Sequence, residues 1–286
     1  MTEPETRILE LPGGARLSFD TRPAGSEDGE PPLLMIGAPM DAGGFTALAE
    51  RFPDRMVVTY DPRGVGRSPR SDGLTASRPE EHADDLRRLI SELGGGPADI
   101  FASSGGAVNG LALVSRHPDA VRILVAHEPP LAGGLPDSQA VFSVIEDIHD
   151  TYEREGRGRA MAKFIAFTSL RGPVPAGFLD QPRDPADFGL PTGDDGGRDH
   201  PLLGPHLLWT SGYRPDVEAL RRATTRIVVA GGAESDGTFP HRAGQALADR
   251  LGTQLVTFPS HHAGFTPEGD PDAFAAALRR VLGAPA

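Results

Sequence analysis

The stretch Ala102-Ser103-Ser104-Gly105-Gly106 decides how the centre of this chain folds. It follows a short apolar run and leads into a segment that is predicted to be a helix. A strand that turns sharply into a helix needs small side chains two positions before and two positions after the residue at the apex. Ala102 and Gly106 fill those positions when Ser104 is the apex, whereas moving the apex back by one residue would place Phe101 where a small residue is needed. The spacing therefore predicts a strand–turn–helix with Ser104 at its tip.

Short apolar runs recur along the chain at the spacing of strands that alternate with helices. The runs predicted to be strands are residues 32–36, 56–60, 100–101, 123–126, 227–230 and 255–258. Continuous apolar runs of this kind are typical of strands buried on both faces of a parallel sheet. Residues 8–11 and 16–19, with Pro-Gly-Gly between them, predict an antiparallel hairpin at the start. The sequence therefore predicts an α/β fold, with a mostly parallel eight-stranded sheet flanked by helices.

The alternation breaks between about residues 131 and 214. Val141, Val144 and Ile148 follow helical spacing, but the Pro-, Gly- and Asp-rich stretch 180–201 has little pattern and predicts a loop whose order the sequence leaves open. We therefore expect a core made of residues 1–130 and 215–286, with residues 131–214 as a helical insertion.

The order of chemically useful residues along the chain carries a resemblance. Ser104 is followed by candidate acids at Glu234 and Asp236 and then by His262, just beyond the last predicted strand. Serine, acid and histidine in this order resemble the α/β-hydrolase fold family, and the resemblance covers nearly the whole chain. It implies the serine-nucleophile branch, similar to esterases and lipases with a helical cap, and places residues 131–214 as that cap. Ser104 at the turn excludes the branches that use an aspartate nucleophile.

The resemblance also implies roles for the triad residues. The Ala-Gly-Phe after His262 is similar to the closing motif of the family and favours His262 as the base. Gly231-Gly232-Ala233-Glu234 matches the family's Gly-x-x-acid turn, so Glu234 is the predicted acid. Two alternatives stay open: Asp236, from its distance to a following proline, and Glu128, because a minority of such hydrolases take their acid from the end of the preceding strand.

The oxyanion site is predicted from a second motif. Ile36-Gly37-Ala38-Pro39 resembles the family's His-Gly-x-Pro, with Ile36 in place of a histidine that braces the loop. By that register the Ala38 amide is one donor, and the amide of Gly105, after the nucleophile, is the other. For substrate contacts we expect Trp209, the largest side chain of the insertion, and Met40, next to the oxyanion loop.

Composition excludes several classes of function. The chain of 286 residues contains no cysteine, which removes disulfides and thiol catalysis, and its net charge of −12 disfavours nucleic acid as a partner. It lacks an apolar leader and any apolar run long enough to span a bilayer, so we expect a cytoplasmic protein without a membrane partner. Ligand spacing for a metal is absent, and no cofactor is expected. A small-molecule substrate is the expected partner; a homodimer is considered, and the oligomeric state is left open.

Together these features predict a serine hydrolase that cleaves an ester, lactone, thioester or related acyl bond of a small to medium hydrophobic substrate. The alternative is a non-hydrolytic member of the fold, a ligand-binding protein or cyclase that uses the same pocket.

Overall fold

A computed structural model describes residues 3–24, 29–70 and 77–284. Within these residues the chain forms one eight-stranded sheet with helices on both faces. The strands are β1 (Glu5–Glu10), β2 (Arg16–Arg22), β3 (Leu33–Ile36), β4 (Val57–Tyr60), β5 (Ala98–Ser103), β6 (Val121–His127), β7 (Arg226–Gly232) and β8 (Val256–Phe258). The helices are α1 (Thr46–Ala49), α2 (Pro79–Glu92), α3 (Gly105–Arg116), α4 (Ser138–Glu155), α5 (Arg157–Thr168), α6 (Pro205–Gly212), α7 (Val217–Arg222), α8 (Phe239–Leu251) and α9 (Pro271–Gly283).

The strand order in the sheet is β1-β2-β4-β3-β5-β6-β7-β8. β1 pairs with β2, and β2 with β4, in the antiparallel sense, while every later pairing is parallel. This confirms the predicted mostly parallel sheet with an antiparallel start. The central strands are buried along their whole length, which explains why they read as continuous apolar runs.

Alternate residues of the strands supply two hydrophobic layers. Leu34, Ile100 and Leu124 face the layer that contains α2 and α3, whereas their neighbours Met35 and Phe101 face the layer that contains α1 and α9. Since the side chains of a strand alternate between its faces, the same runs bury both sides of the sheet. The carboxyl ends of β5, β6 and β7 consequently lie side by side at one edge of a rigid core.

Helices α4, α5 and α6 are inserted between β6 and β7 and have a hydrophobic cluster of their own. Val141, Ile145, Phe167 and Leu207 belong to that cluster, which also takes in Phe239 of α8. An ion pair between Arg242 of α8 and Asp137, at the start of α4, further ties the inserted helices to the sheet domain.

The stretch 180–201, whose order the sequence left open, holds one short 3-10 turn, Pro185–Phe188. An ion pair joins Arg198 to Asp194, and the Arg198 guanidinium lies over the ring of Tyr152 on α4.

Helix α7 packs on the sheet and not with the inserted helices, because its Leu220 is buried in the core layer that contains α2 and α3. No helix in the described part of the chain is long and apolar enough to cross a membrane.

Candidate active site

The turn between β5 and α3 places Ser104 at its apex. The backbone of Ser104 has φ 56° and ψ −125°, a conformation that a residue with a side chain rarely adopts. Its N–H donates to the carbonyl of His127 on the neighbouring strand (2.9 Å), and its own carbonyl accepts from Ala107 in the first turn of α3 (2.9 Å). The predicted strand–turn–helix is confirmed, and two backbone hydrogen bonds hold its strained apex.

The glycines after Ser104 allow the start of α3 to touch the loop that follows β3. A Cβ atom on Gly106 would overlap the carbonyl oxygen of Ile36 and would lie 2.7 Å from Cα of Gly37. A Cβ atom on Gly105 would overlap the carbonyl oxygen of Ala38. The small residues therefore bring the two segments predicted to form the oxyanion site into direct contact.

Glu128, directly after β6, is the carboxylate that contacts His262. Its Oε2 lies 2.5 Å from Nδ1 of His262, and its Oε1 accepts a hydrogen bond from the amide of Gly232 at 2.8 Å. The backbone N–H of Glu128 donates to the carbonyl of Ala230 (2.9 Å), which continues the pairing of β6 with β7. Since the Glu128 side chain has no exposed surface, both of its oxygens depend on these partners.

The surroundings of Glu128 keep it ionised. Burial by itself would raise the pKa of this carboxyl group, but the hydrogen bond from His262, the nearby His127 ring and the Gly232 amide outweigh burial and lower the pKa to about 2. An ionised carboxylate can only accept hydrogen bonds, so the proton in this pair lies on Nδ1 of His262. Nε2 of a neutral His262 then carries a free lone pair, which is the form of histidine that can act as a base.

Strained backbone is concentrated around these residues. Among the described residues, the non-glycine positions with positive φ are Ser104 (56°), Glu128 (49°) and Ser260 (65°). The first two carry candidate functional groups, and Ser260 lies two residues before His262. Backbone strain of this kind persists where the surroundings enforce it and clusters at functional sites. The clustering marks the loops after β5, β6 and β8 as one site.

A cavity of about 340 Å³ opens over this site. Ser104, His262, Ala38 and Gly105 line it together, and the inserted helices form much of the opposite wall. The apolar side chains of that wall and its surroundings are Phe164, Phe167, Leu202, Leu207, Phe239 and Pro240. The arrangement exposes a serine, a histidine and two candidate amide donors to an apolar chamber.

A histidine of the insertion also reaches the oxyanion side of the cavity. His206 on α6 is 7% exposed, and its Nε2 lies 3.1 Å from the position that a Cβ atom on Gly105 would occupy. The same nitrogen lies 3.2 Å from Oγ1 of Thr210, one helical turn further on. The ring lies beside the backbone of Ala38, which lines the same cavity.

Comparison with known proteins agrees with this geometry. Residues 32–166 match the family model described as alpha/beta hydrolase fold. An uncharacterized hydrolase of Bacillus subtilis, YraK, is 30% identical over 273 residues, which cover 90% of this chain and 89% of that protein. The chain belongs to the alpha/beta hydrolase fold family. Two solved structures share its fold: a hydrolase from Pseudomonas aeruginosa (TM-score 0.67, 21% identity, 98% of this chain and 99% of that one) and a thermophilic esterase from Thermogutta terrifontis (TM-score 0.65, 22% identity, 98% of each chain).

Within this alpha/beta hydrolase fold, the predicted acid Glu234 does not contact His262. Its side chain is exposed in the 3-10 turn Ala233–Ser235; its N–H donates to the carbonyl of Ser260 (2.9 Å), and its carbonyl accepts from Arg171 (2.7 Å). Asp236 is also exposed, with Oδ1 3.7 Å from Nδ1 of His241. The structure therefore places Glu128, and neither of the predicted candidates Glu234 and Asp236, against His262, while Glu234 lines the cavity.

The predicted substrate contacts lie outside the cavity. Trp209 packs beneath the guanidinium of Arg78, with 4.7 Å between Cζ and the ring centroid, and does not line the cavity as Leu207 and His206 do. Met40 packs under its own loop, with Cε 2.8 Å from the Cβ position of Gly37, and against the hydrophobic layer that contains α1 and α9. In contrast, Ala38 and Gly105, the predicted oxyanion donors, both line the cavity.

Sequence reasoning missed two buried histidines beside the site, His127 and His206. Burial lowers the pKa of each to about 4, so both rings are neutral near pH 7. Each is a single histidine in an apolar segment, and the sequence carries no local signal that separates it from a histidine of the hydrophobic core. In the described part of the chain, no group of three or more His, Asp or Glu side chains is placed to hold a metal ion.

Proposed function

We propose that this hydrolase is a serine hydrolase that transfers an acyl group from an ester, lactone, thioester or related substrate to water, with Ser104, His262 and Glu128 as its triad. The observation that carries the proposal is the Glu128–His262 pair, 2.5 Å between Oε2 and Nδ1, whose histidine lines a cavity together with the strained Ser104. A serine hydroxyl needs a base to become a nucleophile, and the base needs a partner to fix its tautomer.

In the first half of the reaction, Oγ of Ser104 attacks the carbonyl carbon while Nε2 of His262 takes the hydroxyl proton. Glu128 stabilises the resulting imidazolium without accepting its proton. The carbonyl oxygen becomes an oxyanion, for which the amides of Ala38 and Gly105 are the proposed donors. Gly105 is the first residue of α3, so its N–H has no partner within the helix and points its dipole toward developing negative charge.

In the second half, the tetrahedral intermediate collapses and the leaving group departs with the proton that His262 carried. Water then attacks the acyl-enzyme, His262 takes a proton from that water, and the acid product leaves as Ser104 recovers its proton. Every proton moves through Nε2 of His262, and the oxyanion forms twice in the same place.

The lining of the cavity supports a neutral apolar acyl or alcohol group as the substrate portion. Its volume of about 340 Å³ is near the lower end of the roughly 300–1,000 Å³ range of ligand pockets. The described lining contains no lysine or arginine, and its one carboxylate is Glu234. An anionic substrate would meet no counter-charge there, and the protein carries a net charge of −12. A small to medium neutral substrate follows, with residues 131–214 as the proposed cap.

A fluorophosphonate probe tests the proposed chemistry directly, since it phosphonylates an activated serine. We expect stoichiometric labelling at Ser104 in the wild-type protein, with no labelling in Ser104→Ala. Labelling that is absent from the folded wild-type protein would instead support a ligand-binding member of the fold.

A substrate panel tests the proposed class. p-Nitrophenyl esters of increasing acyl length measure how much of the cavity the acyl group fills. Methyl butyrate and monomethyl succinate form a matched pair that differ in charge, and we expect the neutral ester to be hydrolysed with the higher kcat/KM. A preference for the anionic ester would contradict the substrate class while leaving the triad in place.

A further inference from the structure

The loop that carries the proposed oxyanion donor Ala38 lacks its usual internal brace. Ile36 stands where the related motif has a histidine, and Ile36 is fully buried in the hydrophobic core. The loop is held from below by the close approach of Gly106 to Ile36 and Gly37. This contact fixes its beginning, whereas Ala38 lines the cavity together with His206 of the insertion.

His206 of the insertion meets the Ala38 backbone. The ring of His206 lies beside the backbone of Ala38, because a Cβ atom on Gly105 would overlap the carbonyl oxygen of Ala38 and lie 3.1 Å from Nε2 of His206. Thr210, one helical turn further on, contacts the same nitrogen, with Oγ1 3.2 Å from Nε2. The ring is therefore fixed between its own helix and the junction of the two segments that carry the oxyanion donors.

The chemistry of His206 fits a structural donor and not a second base. Burial lowers its pKa to about 4, although the nearby backbone of Ala38 acts in the opposite direction, so the ring is neutral at pH 7. A neutral imidazole has one N–H, which is the group that a backbone carbonyl accepts. The carboxylate that would make a histidine a strong base is present at His262 and not among the described partners of His206.

We propose that His206 is a positioning residue that reaches from the insertion to brace the Ala38 loop, so that the oxyanion site is complete only when α6 is seated on the core. The inference rests on the proposed acyl-transfer function. Holding the Ala38 carbonyl restrains the rotation of this residue, and with it the direction of the Ala38 N–H. Displacement of a catalytic group by about 1 Å is enough to reduce the rate by about 100-fold.

The test compares substitutions of His206 by steady-state kinetics with p-nitrophenyl butyrate. His206→Leu introduces an apolar side chain of similar reach that has no N–H to donate. We expect kcat to fall by about 10- to 100-fold with little change in KM. His206→Asn and His206→Gln each carry an amide N–H near the place of one ring nitrogen, and at least one of them should recover most of kcat.

An inhibitor gives a second readout that a merely structural role would not move. A boronic acid forms a tetrahedral adduct on Ser104 whose oxygen occupies the oxyanion site, so His206→Leu should weaken its inhibition in parallel with the loss of kcat. His149→Leu is the matched control: His149 is also a histidine of the insertion, half-buried, with Nδ1 3.1 Å from the carbonyl of Leu203, but it does not line the cavity. We expect its kcat and boronate affinity to match the wild type.

Unchanged kcat and boronate affinity in His206→Leu would overturn the inference, as would an equal loss in His206→Leu, both amide variants and His149→Leu. Thermal unfolding identifies variants that fail to fold, and His206→Ala takes the place of His206→Leu if the latter does not fold.

Fluorophosphonate labelling of the wild type distinguishes failure of the bracing role from failure of the proposed serine hydrolase function. A labelled wild type with unaffected His206 variants contradicts the bracing role alone, whereas an unlabelled wild type contradicts the serine hydrolase and the brace with it.

Discussion

Oε2 of Glu128 and Nδ1 of His262 lie 2.5 Å apart, although 134 residues separate them in the chain. The pair forms because β6 lies between β5 and β7, which places the end of β6 within reach of the loop after β8. The amide of Gly232, at the end of β7, holds the second oxygen of Glu128. The end of β7 thus orients the carboxylate, and the end of β6 places it next to the histidine.

Substitution of Glu128 should be far more harmful than substitution of Glu234. Glu128→Gln removes the charge that stabilises the imidazolium and allows the wrong tautomer of His262, a defect that costs about 10⁴ in kcat in the serine protease triad. Glu234→Gln and Asp236→Asn are matched controls on exposed carboxylates, and each should retain kcat within a few-fold. Steady-state kinetics on a p-nitrophenyl ester measures all three variants. A large loss in Glu234→Gln with a mild effect in Glu128→Gln would contradict the proposed triad.

Ser104→Ala should remove acyl transfer while the protein stays folded. The rate that remains should be at most the roughly 10³- to 10⁴-fold acceleration over water that binding and oxyanion stabilisation supply without a nucleophile. Ser103→Ala is the control next to it: Oγ of Ser103 lies 3.5 Å from Nδ1 of the buried His127, away from the apex. Comparable activity losses in both variants, with intact folding, would argue against Ser104 as the only nucleophile.

Stability should decrease as the pH falls below about 6.5. Burial lowers the pKa of His127 and His206 to about 4 and that of His82 to about 3, from the ordinary value of 6.5. The unfolded chain therefore takes up protons between pH 6.5 and 4 that the folded chain does not, which favours unfolding across that window. The pKa of Glu128 is lowered from the ordinary value of 4.5 to about 2. Its contribution to stability is therefore lost only as the pH falls from about 4.5 toward 2.

Urea unfolding at a series of pH values between 8 and 4.5 measures this dependence. His127→Phe should reduce its slope, because the ring is enclosed by Phe101, Phe258, Phe265 and Phe274 and a phenyl ring there has no proton to gain. The same slope in wild type and variant would contradict the assignment of His127 as a buried neutral histidine.

Gly106→Ala should destabilise the elbow. The new methyl group would overlap the carbonyl oxygen of Ile36, and overpacking of this kind costs about 1–3 kcal/mol. Activity should fall as well, since the displaced loop carries Ala38. Gly133→Ala is the control, because a Cβ atom there meets nothing within 4 Å. Thermal unfolding and ester kinetics measure the stability and the activity of both variants. Equal unfolding temperatures and equal kcat values would show that α3 and the loop have room to separate.

The insertion should determine chain-length preference through the residues that line the cavity. Phe164→Ala enlarges the apolar wall and should shift the optimum among p-nitrophenyl esters toward longer acyl chains. Trp209→Ala should leave that optimum unchanged, because the indole packs against Arg78 outside the cavity. A shift in Trp209→Ala that matches or exceeds the shift in Phe164→Ala would mean that substrates extend beyond the cavity.

The sequence by itself determined the sheet and the apex of its central turn. Apolar runs at regular spacing are sufficient to predict a buried parallel sheet, because a strand covered on both faces can only be apolar. The small residues around Ser104 are an equally local signal, because a sharp strand-to-helix turn itself needs them two positions before and after its apex. These features depend on the residue itself and its immediate surroundings.

The tertiary structure alone decided which carboxylate faces His262 and which insertion residues face the cavity. Glu128, Glu234 and Asp236 each follow a strand of the same sheet, and their sequences do not reveal that a 3-10 turn exposes two of them while a strained backbone buries the third. His206 and Trp209 likewise share one short helix, and only the packing of that helix on the core places the histidine in the cavity wall and the indole against Arg78. Such choices depend on distances between segments far apart in the chain, which local patterns do not encode.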